Sequence, residues 1–162
     1  MRCKDGQESG KSVMSTIRQI LGQFGEERVV KHCRCPRCKR AKTLVRLPEN
    51  FKCADIICDF CGYLAQVKTT RTSRTDAVPR AVVGAAWGPQ KDRMDSAIYF
   101  PLFVVLVNNR TKDCSIFYLS ADLQQPEMFR PRAPLSVEAR RAGWQGFIYD
   151  FELVRSSFVR VR

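Results

Sequence analysis

Histidine is almost missing from this chain of 162 residues; His32 is the only one. A nucleophilic triad would have to recruit it, although it sits beside a cysteine motif and would then serve two roles, so triad chemistry is not expected. Long apolar runs are also missing. The longest covers residues 97–107 and is interrupted by Pro101, whereas a bilayer-spanning helix needs roughly 20 residues, so no membrane partner is expected. The opening MRCKDGQESGK holds no apolar stretch, and the expectation is a cytoplasmic protein without a secretory leader. A phosphate loop is lacking too. Gly10-Lys11-Ser12 ends like one, but the glycine it requires at position 5 is Asp5. Acidic residues are few, 16 against 28 Lys and Arg, which leaves a formal charge of +12.

The positive charge is clustered. Residues 28–48 contain no acid and eight cations (Arg28, Lys31, Arg34, Arg37, Lys39, Arg40, Lys42, Arg46), and so hold +8 of the +12. A second cluster comprises Arg130, Arg132, Arg140, Arg141, Arg155, Arg160 and Arg162; a thinner one follows Lys68 with Arg71, Arg74 and Arg80. The 44% hydrophobic content is enough for a packed core, which excludes a disordered polycation. Clusters far apart in sequence that can converge in space suit a surface tracking the phosphates of a nucleic acid.

Eight cysteines are present. In a reducing compartment they favour metal over disulfides. Cys35-Pro36-Arg37-Cys38 and Cys58-Asp59-Phe60-Cys61 are two CxxC knuckles with 19 residues between them, the spacing of a zinc ribbon. Each knuckle curls two thiolates toward one point, and the pair completes a closed all-sulfur Zn2+ shell that holds structure and does no chemistry. Redox CxxC motifs occur singly at a helix start, so that alternative fits poorly. Cys33 and Cys53 lie near enough to substitute as ligands, and Cys114 reads as an ordinary thiol.

Local patterning predicts a helix capped by Ser12, with Val13, Ile17, Ile20, Leu21 and Phe24 on one side and Gly25 as its stop; residues 26–31 add a further turn. Strands are expected over 51–57 and 63–69, joined tightly. A helix follows over 81–94, then a strand buried on both faces over 98–107, a turn over 108–113 and a partner strand over 115–119. Residues 124–134 read as a Pro-rich loop, 136–141 as a short helix ended by Gly143, and 147–153 as a last strand. The order indicates a mixed α/β or α+β fold, with residues 1–162 forming a single domain.

One polar constellation stands out. If 51–57 and 63–69 form a hairpin, alternation places Gln66 and Lys68 on one face with Ala65 and Val67 on the other, and Asp55 can join from the neighbouring strand. Asp55 and the Gln66 carbonyl oxygen suit a hard divalent cation such as Mg2+ or Mn2+, and Lys68 suits the attacking water and the developing charge. The plain reading is one acid at a strand end with an exposed Gln and Lys. Against it, the second knuckle lies between Asp55 and Gln66, so zinc would clamp the hairpin's tip and fix its register; a slip of one residue would turn Gln66 and Lys68 away from Asp55.

The chain resembles the DpnI-type and Dam-replacing restriction endonucleases. The resemblance rests on CPRC, ADIICDFCGYLAQVK and RPRAPLSVEARRAGWQGFIYDF, of which APLSVEARRAGWQG is the most distinctive, and covers about residues 28–153. It implies a PD-(D/E)XK restriction-endonuclease-like core with a four-cysteine zinc ribbon inserted at about 33–61. It also implies Mg2+- or Mn2+-dependent cleavage of double-stranded DNA at GATC-type sites, with adenine methylation as a candidate trigger. The family's aspartate falls on Asp55, its second acidic position on Gln66, its lysine on Lys68, and its zinc ligands on Cys35, Cys38, Cys58 and Cys61. Arg140, Arg141, Gly143 and Trp144 match the late segment expected against DNA, where Trp144 either stacks on a base or packs as a core aromatic; Arg71 and Arg74 are further DNA candidates. Gln66 in place of an acid removes one negative charge. No winged-helix domain follows in this sequence, so a homodimer or a separate recognition partner is the expected source of added affinity. The competing reading is a zinc-ribbon DNA-binding protein, or a degenerate nuclease remnant, without chemistry.

Overall fold

The computed structural model describes residues 16–49, 51–52 and 54–162. Helix α1 (Ile17–His32) starts at Thr16, whose hydroxyl accepts from Gln19 N while the Gln19 side chain accepts from Thr16 N, a complete capping box. The expected cap Ser12 and the position of Val13 lie outside the described residues. Gly25 does not stop the helix. It is buried inside α1, and a Cβ built on it would lie 1.7 Å from Thr69 Oγ1, so the glycine is there to let the helix approach a strand. Lys31 and His32 in the last turn suit the helix dipole.

Among the described residues, nine strands form two sheets. Strands β1 (Leu44–Arg46), β2 (Ile56–Cys58), β3 (Leu64–Thr72), β5 (Leu102–Asn108), β6 (Cys114–Leu119) and β9 (Val159–Arg160) form a six-stranded sheet in the order β1-β2-β3-β5-β6-β9. Strands β4 (Ala81–Ala86), β8 (Gly146–Asp150) and β7 (Phe129–Pro131) form a smaller sheet in the order β4-β8-β7. Among the described residues only β3 and β5 pair in parallel, from Gln66 opposite Leu102 to Thr72 opposite Asn108. The chain crosses between them through β4 and α2 (Trp87–Asp95), as parallel strands require a long connection.

Three layers result. β5 sits at the centre, with Leu102 to Val107 all buried, the burial expected of a strand covered on both faces. Phe103, Val105 and Val107 share a cluster with Val29 of α1, while Leu102, Val104 and Leu106 pack against Phe129, Phe147, Tyr149 and Phe151. Burying these six β5 side chains contributes on the order of 10 kcal/mol.

Three further expectations are corrected, and one strand was not expected. The first strand of the predicted hairpin is only β2, three residues long, because Asp55 leaves the ladder. Residues 81–94 are not one helix; Ala81–Ala86 pair with β8 and only Trp87–Asp95 coil. Residues 136–141 form turns rather than a helix: Leu135 N donates to Trp144 O and Gly143 N to Leu135 O, closing a loop that Gly143 completes at φ 74°. Strand β9 carried no signal because it is a short exposed edge, Val159 opposite Tyr118.

Candidate functional site

The four cysteines of the two knuckles come together. Cys35 and Cys38 flank a turn in which Lys39 N donates to Cys35 O; Cys58 ends β2 and Cys61 lies in the next turn, where Gly62 N donates to Cys58 O. Their four sulfurs lie within 4.8 Å of one another, with Cys35 to Cys61 at 3.6 Å and Cys38 to Cys58 at 3.7 Å. A tetrahedral ion with bonds of about 2.3 Å separates sulfurs by about 3.8 Å, so this donor set fits a metal such as zinc. Burial pushes the Cys35 thiol up to about 12. Burial acts the same way on Cys58, but the Thr43 hydroxyl and the backbone N–H groups of Cys61 and Phe60 outweigh it and bring that thiol down to about 6. Cys33 stands apart from the set, its thiol raised to about 11 by burial. Cys53 lies outside the described residues, and His32 Nδ1 faces the Arg162 guanidinium at 3.0 Å.

The second group lies where β2 and β3 separate. The last paired residues are Ile56 and Ala65; before them Asp55 N still donates to Ala65 O, and the Asp55 carboxylate accepts from Val67 N at 2.7 Å. Its oxygen thus takes the place of a ladder carbonyl in the fork between strands. Ala65 and Val67 face α1 and are buried, whereas Gln66 and Lys68 are half-buried and alternate to the opposite face. Gln66 Oε1 accepts from the hydroxyl of fully buried Tyr149 on β8 at 3.0 Å.

Electrostatics connects Asp55 to both layers. Burial raises the Tyr149 phenol, and the Asp55 charge raises it further, so Tyr149 stays a firm donor to Gln66. On the other side Glu26 of α1 is raised by burial and by Asp55, while its hydrogen bond to Arg46 and the charge of Lys68 lower it. Glu26 Oε2 accepts from Arg46 Nε at 2.9 Å, and its side chain is 19% exposed. Glu26, Arg46, Glu49 and Asp55 line a cleft of about 180 Å³. Arg93 of α2 joins the surroundings, donating to Gln90 Oε1 at 3.1 Å and to Lys52 O at 3.4 Å, just upstream of Asp55.

Glu26 and Tyr149 were not among the residues singled out by sequence, and Arg46 was read only as one of a cluster of cations. Glu26 had a signal: once α1 continues through Gly25, an acid next to the buried face is one turn from Val29 and anomalous there. Tyr149 had none, because its partner Gln66 is distant in sequence.

The expected DNA contacts are dispersed. Arg71 is exposed on β3 but lies on the α1 side, beside Leu21, Phe24 and Lys112, away from Gln66 and Lys68. Arg74 is paired with Asp76 at 2.9 Å. Arg140 and Arg141 are exposed; the Arg141 guanidinium lies 4.5 Å over the Trp144 ring, and that half-buried ring rests against Gly146, where a Cβ would come within 2.8 Å of it.

A family model for DpnI, described as the Dam-replacing family, matches residues 9–160, nearly the whole chain. The chain belongs to the Dam-replacing family. A search of the curated proteins finds no match. Dam-replacing membership points to a restriction-type nuclease with DNA as its partner. Among the described residues of this Dam-replacing chain, no helix is long and apolar enough to cross a membrane.

Proposed function

We propose that the chain is an endonuclease on a PD-(D/E)XK core that hydrolyses double-stranded DNA at GATC-type sites, with adenine methylation as the trigger to test first. The observation that carries the proposal is the Asp55 carboxylate in the strand fork, hydrogen-bonded to Val67 N, with its charge felt by Tyr149 on one side and Glu26 on the other. Asp55 and Gln66 Oε1 would hold Mg2+ or Mn2+, which supplies charge to the scissile phosphate when bound. Tyr149, donating to Gln66 Oε1 at 3.0 Å, fixes which way the Gln66 amide points. Glu26, which feels the charges of Asp55 and Lys68, would restore the negative charge that Gln66 lacks once the bound cation competes with Arg46 for it. Lys68 orients the attacking water and offsets charge developing on the phosphate.

In this reading the thiolate centre is a structural Zn2+ site that pins the tip of the β2–β3 hairpin and hence the register of Asp55 against Gln66 and Lys68. Arg140, Arg141, Trp144, Arg71 and Arg74 would contact DNA, Arg74 only after exchanging Asp76 for a phosphate. Digesting methylated and unmethylated GATC plasmids with Mg2+ or Mn2+ tests the function: cleavage supports it, and binding without any cutting overturns it. That outcome would favour the second reading, a DNA-binding protein without chemistry, whose supporting observation is that Gln66 carries no charge and Glu26 is engaged by Arg46.

A further inference from the structure

The two knuckles end differently. After Cys61 the chain takes a left-handed turn at Gly62, φ 72°, where a glycine costs nothing. At the equivalent place after Cys38 stands Lys39 with φ 61°, and three residues on Lys42 repeats the conformation at φ 59°. Side chains rarely adopt this region, and residues held there against their preference point to a use for the side chain. Between them Arg40 lies 3.7 Å over the ring of Phe60, which is 57% exposed on the second knuckle. Arg37, Lys39, Arg40 and Lys42 are all exposed, and none forms a salt bridge among the described residues; Asp59, the one acid in the knuckles, pairs with none of them. The loop that carries them is rigid: Arg34 and Ala41 form a bridge, Cys35 N donates to Arg40 O, and Arg34 donates to Lys39 O.

We propose that this loop, residues 37–42, is a preformed grip for the phosphate backbone of duplex DNA, separate from the cleavage cleft and anchored by the thiolate centre. The inference rests on the nuclease reading in taking duplex DNA as the partner. Four cations without acidic side-chain partners among the described residues, on a loop tied by its own hydrogen bonds, offer more positive charge than a four-thiolate centre of net −2 would offset, and a polyanion suits the surplus. The loop stands at the tip of the hairpin whose root is Asp55. Three residues of β2 at about 3.3 Å each set Cys58 roughly 10 Å from Asp55, and Cys58 Sγ lies 3.7 Å from the sulfur of Cys38 in the loop. Arg40, stacked on Phe60, is restrained over the ring with its N–H edge available for a phosphate.

The test is the double variant Lys39→Gly/Lys42→Gly in the full metal-loaded chain. Binding to a short duplex is measured in Ca2+ over a range of salt, alongside thermal unfolding and zinc release to a chelator. The grip gives a salt dependence whose log–log slope is smaller by about 2, with affinity reduced and thermal stability equal or higher, since two strained residues are relieved. Arg37→Gln/Arg40→Gln should shift the slope by a similar amount without touching the backbone. Wild-type binding with unchanged slope and affinity in both variants overturns the grip and leaves the nuclease reading standing. Faster zinc release with unchanged DNA binding also overturns it, because the cations would then serve the thiolates. A wild-type chain that binds no duplex defeats the nuclease reading, and the grip with it.

Discussion

Gly25→Ala joins the packing of α1 to the chemistry of the cleft. The added Cβ would sit 1.7 Å from Thr69 Oγ1 and 2.9 Å from Thr69 Cβ, so α1 and β3 must move apart by more than an ångström. Overpacking of this kind costs about 1–3 kcal/mol, while alanine's better helix propensity returns about 1 kcal/mol. The upper half of that range wins here because the clash is with a β-branched side chain on a central strand. A net loss of about 2 kcal/mol lowers Tm by roughly 4–8 °C in a chain of this size. Gly22→Ala is the matched control. It lies in the same helix with nothing within 4 Å of its Cβ, and should stabilise by about 1 kcal/mol. Thr69→Ala in the Gly25→Ala background should recover part of the loss. It removes the worst contact and a buried hydroxyl that has no hydrogen-bond partner among the described residues. Because Glu26 is the next residue, the displaced helix also moves its carboxylate relative to Asp55, and cleavage should fall by up to about 100-fold at temperatures where the variant is folded. Thermal unfolding of the three variants, with plasmid cleavage at 25 °C, reads both effects. If Gly25→Ala behaves like Gly22→Ala, the close approach of α1 to β3 is wrong, and with it the placement of Glu26.

Glu26→Gln should weaken Mn2+ or Ca2+ binding by about 10–100-fold, read by metal-induced thermal stabilisation; unchanged metal affinity would remove Glu26 from the site. The same variant has a pH signature. The folded pKa of Glu26 is raised, so the native state holds its proton more tightly than the unfolded chain, and the wild type loses stability as pH rises from the ordinary carboxylate range through the folded value. Glu26→Gln should therefore gain relative to wild type over that rise and match it more closely in acid, and urea unfolding at several pH values would show the opposite trend if the raised value is wrong. Gln66→Glu should tighten the divalent-metal dependence of cleavage, and a metal titration that does not move would exclude Gln66 as a ligand. Chelating zinc should release four thiols that were protected and abolish cleavage, because the hairpin tip loses its clamp; cutting that persists without the metal would separate the thiolate centre from the register of Asp55.

Much of the site was legible because it is local. CxxC spacing fixed which four sulfurs meet, and strand alternation separated Gln66 and Lys68 from Ala65 and Val67 without any tertiary information. The central strand β5 and its turn were equally plain, from an apolar run followed by Asn108, whose side chain accepts from Arg110 N and Thr111 N. Residues 81–94 misled because the alanines and Gly84 carry little strand signal, and what makes Ala81–Ala86 a strand is β8, far along the chain. Gly25 misled for the same reason: its meaning lies in Thr69 of another element, and local propensity sees only a helix breaker. Glu26 stayed hidden behind that error, and Tyr149 behind the 83 positions, several strands and a helix among them, that separate it from Gln66.

Single-turnover cleavage of GATC plasmid by wild type and Lys68→Ala, at protein concentrations where both bind the DNA, tests the central claim most directly. The wild type is expected to cut in Mg2+ or Mn2+ and Lys68→Ala to bind comparably while cleaving at least about 100-fold more slowly. Equal cleavage by the two proteins would contradict it.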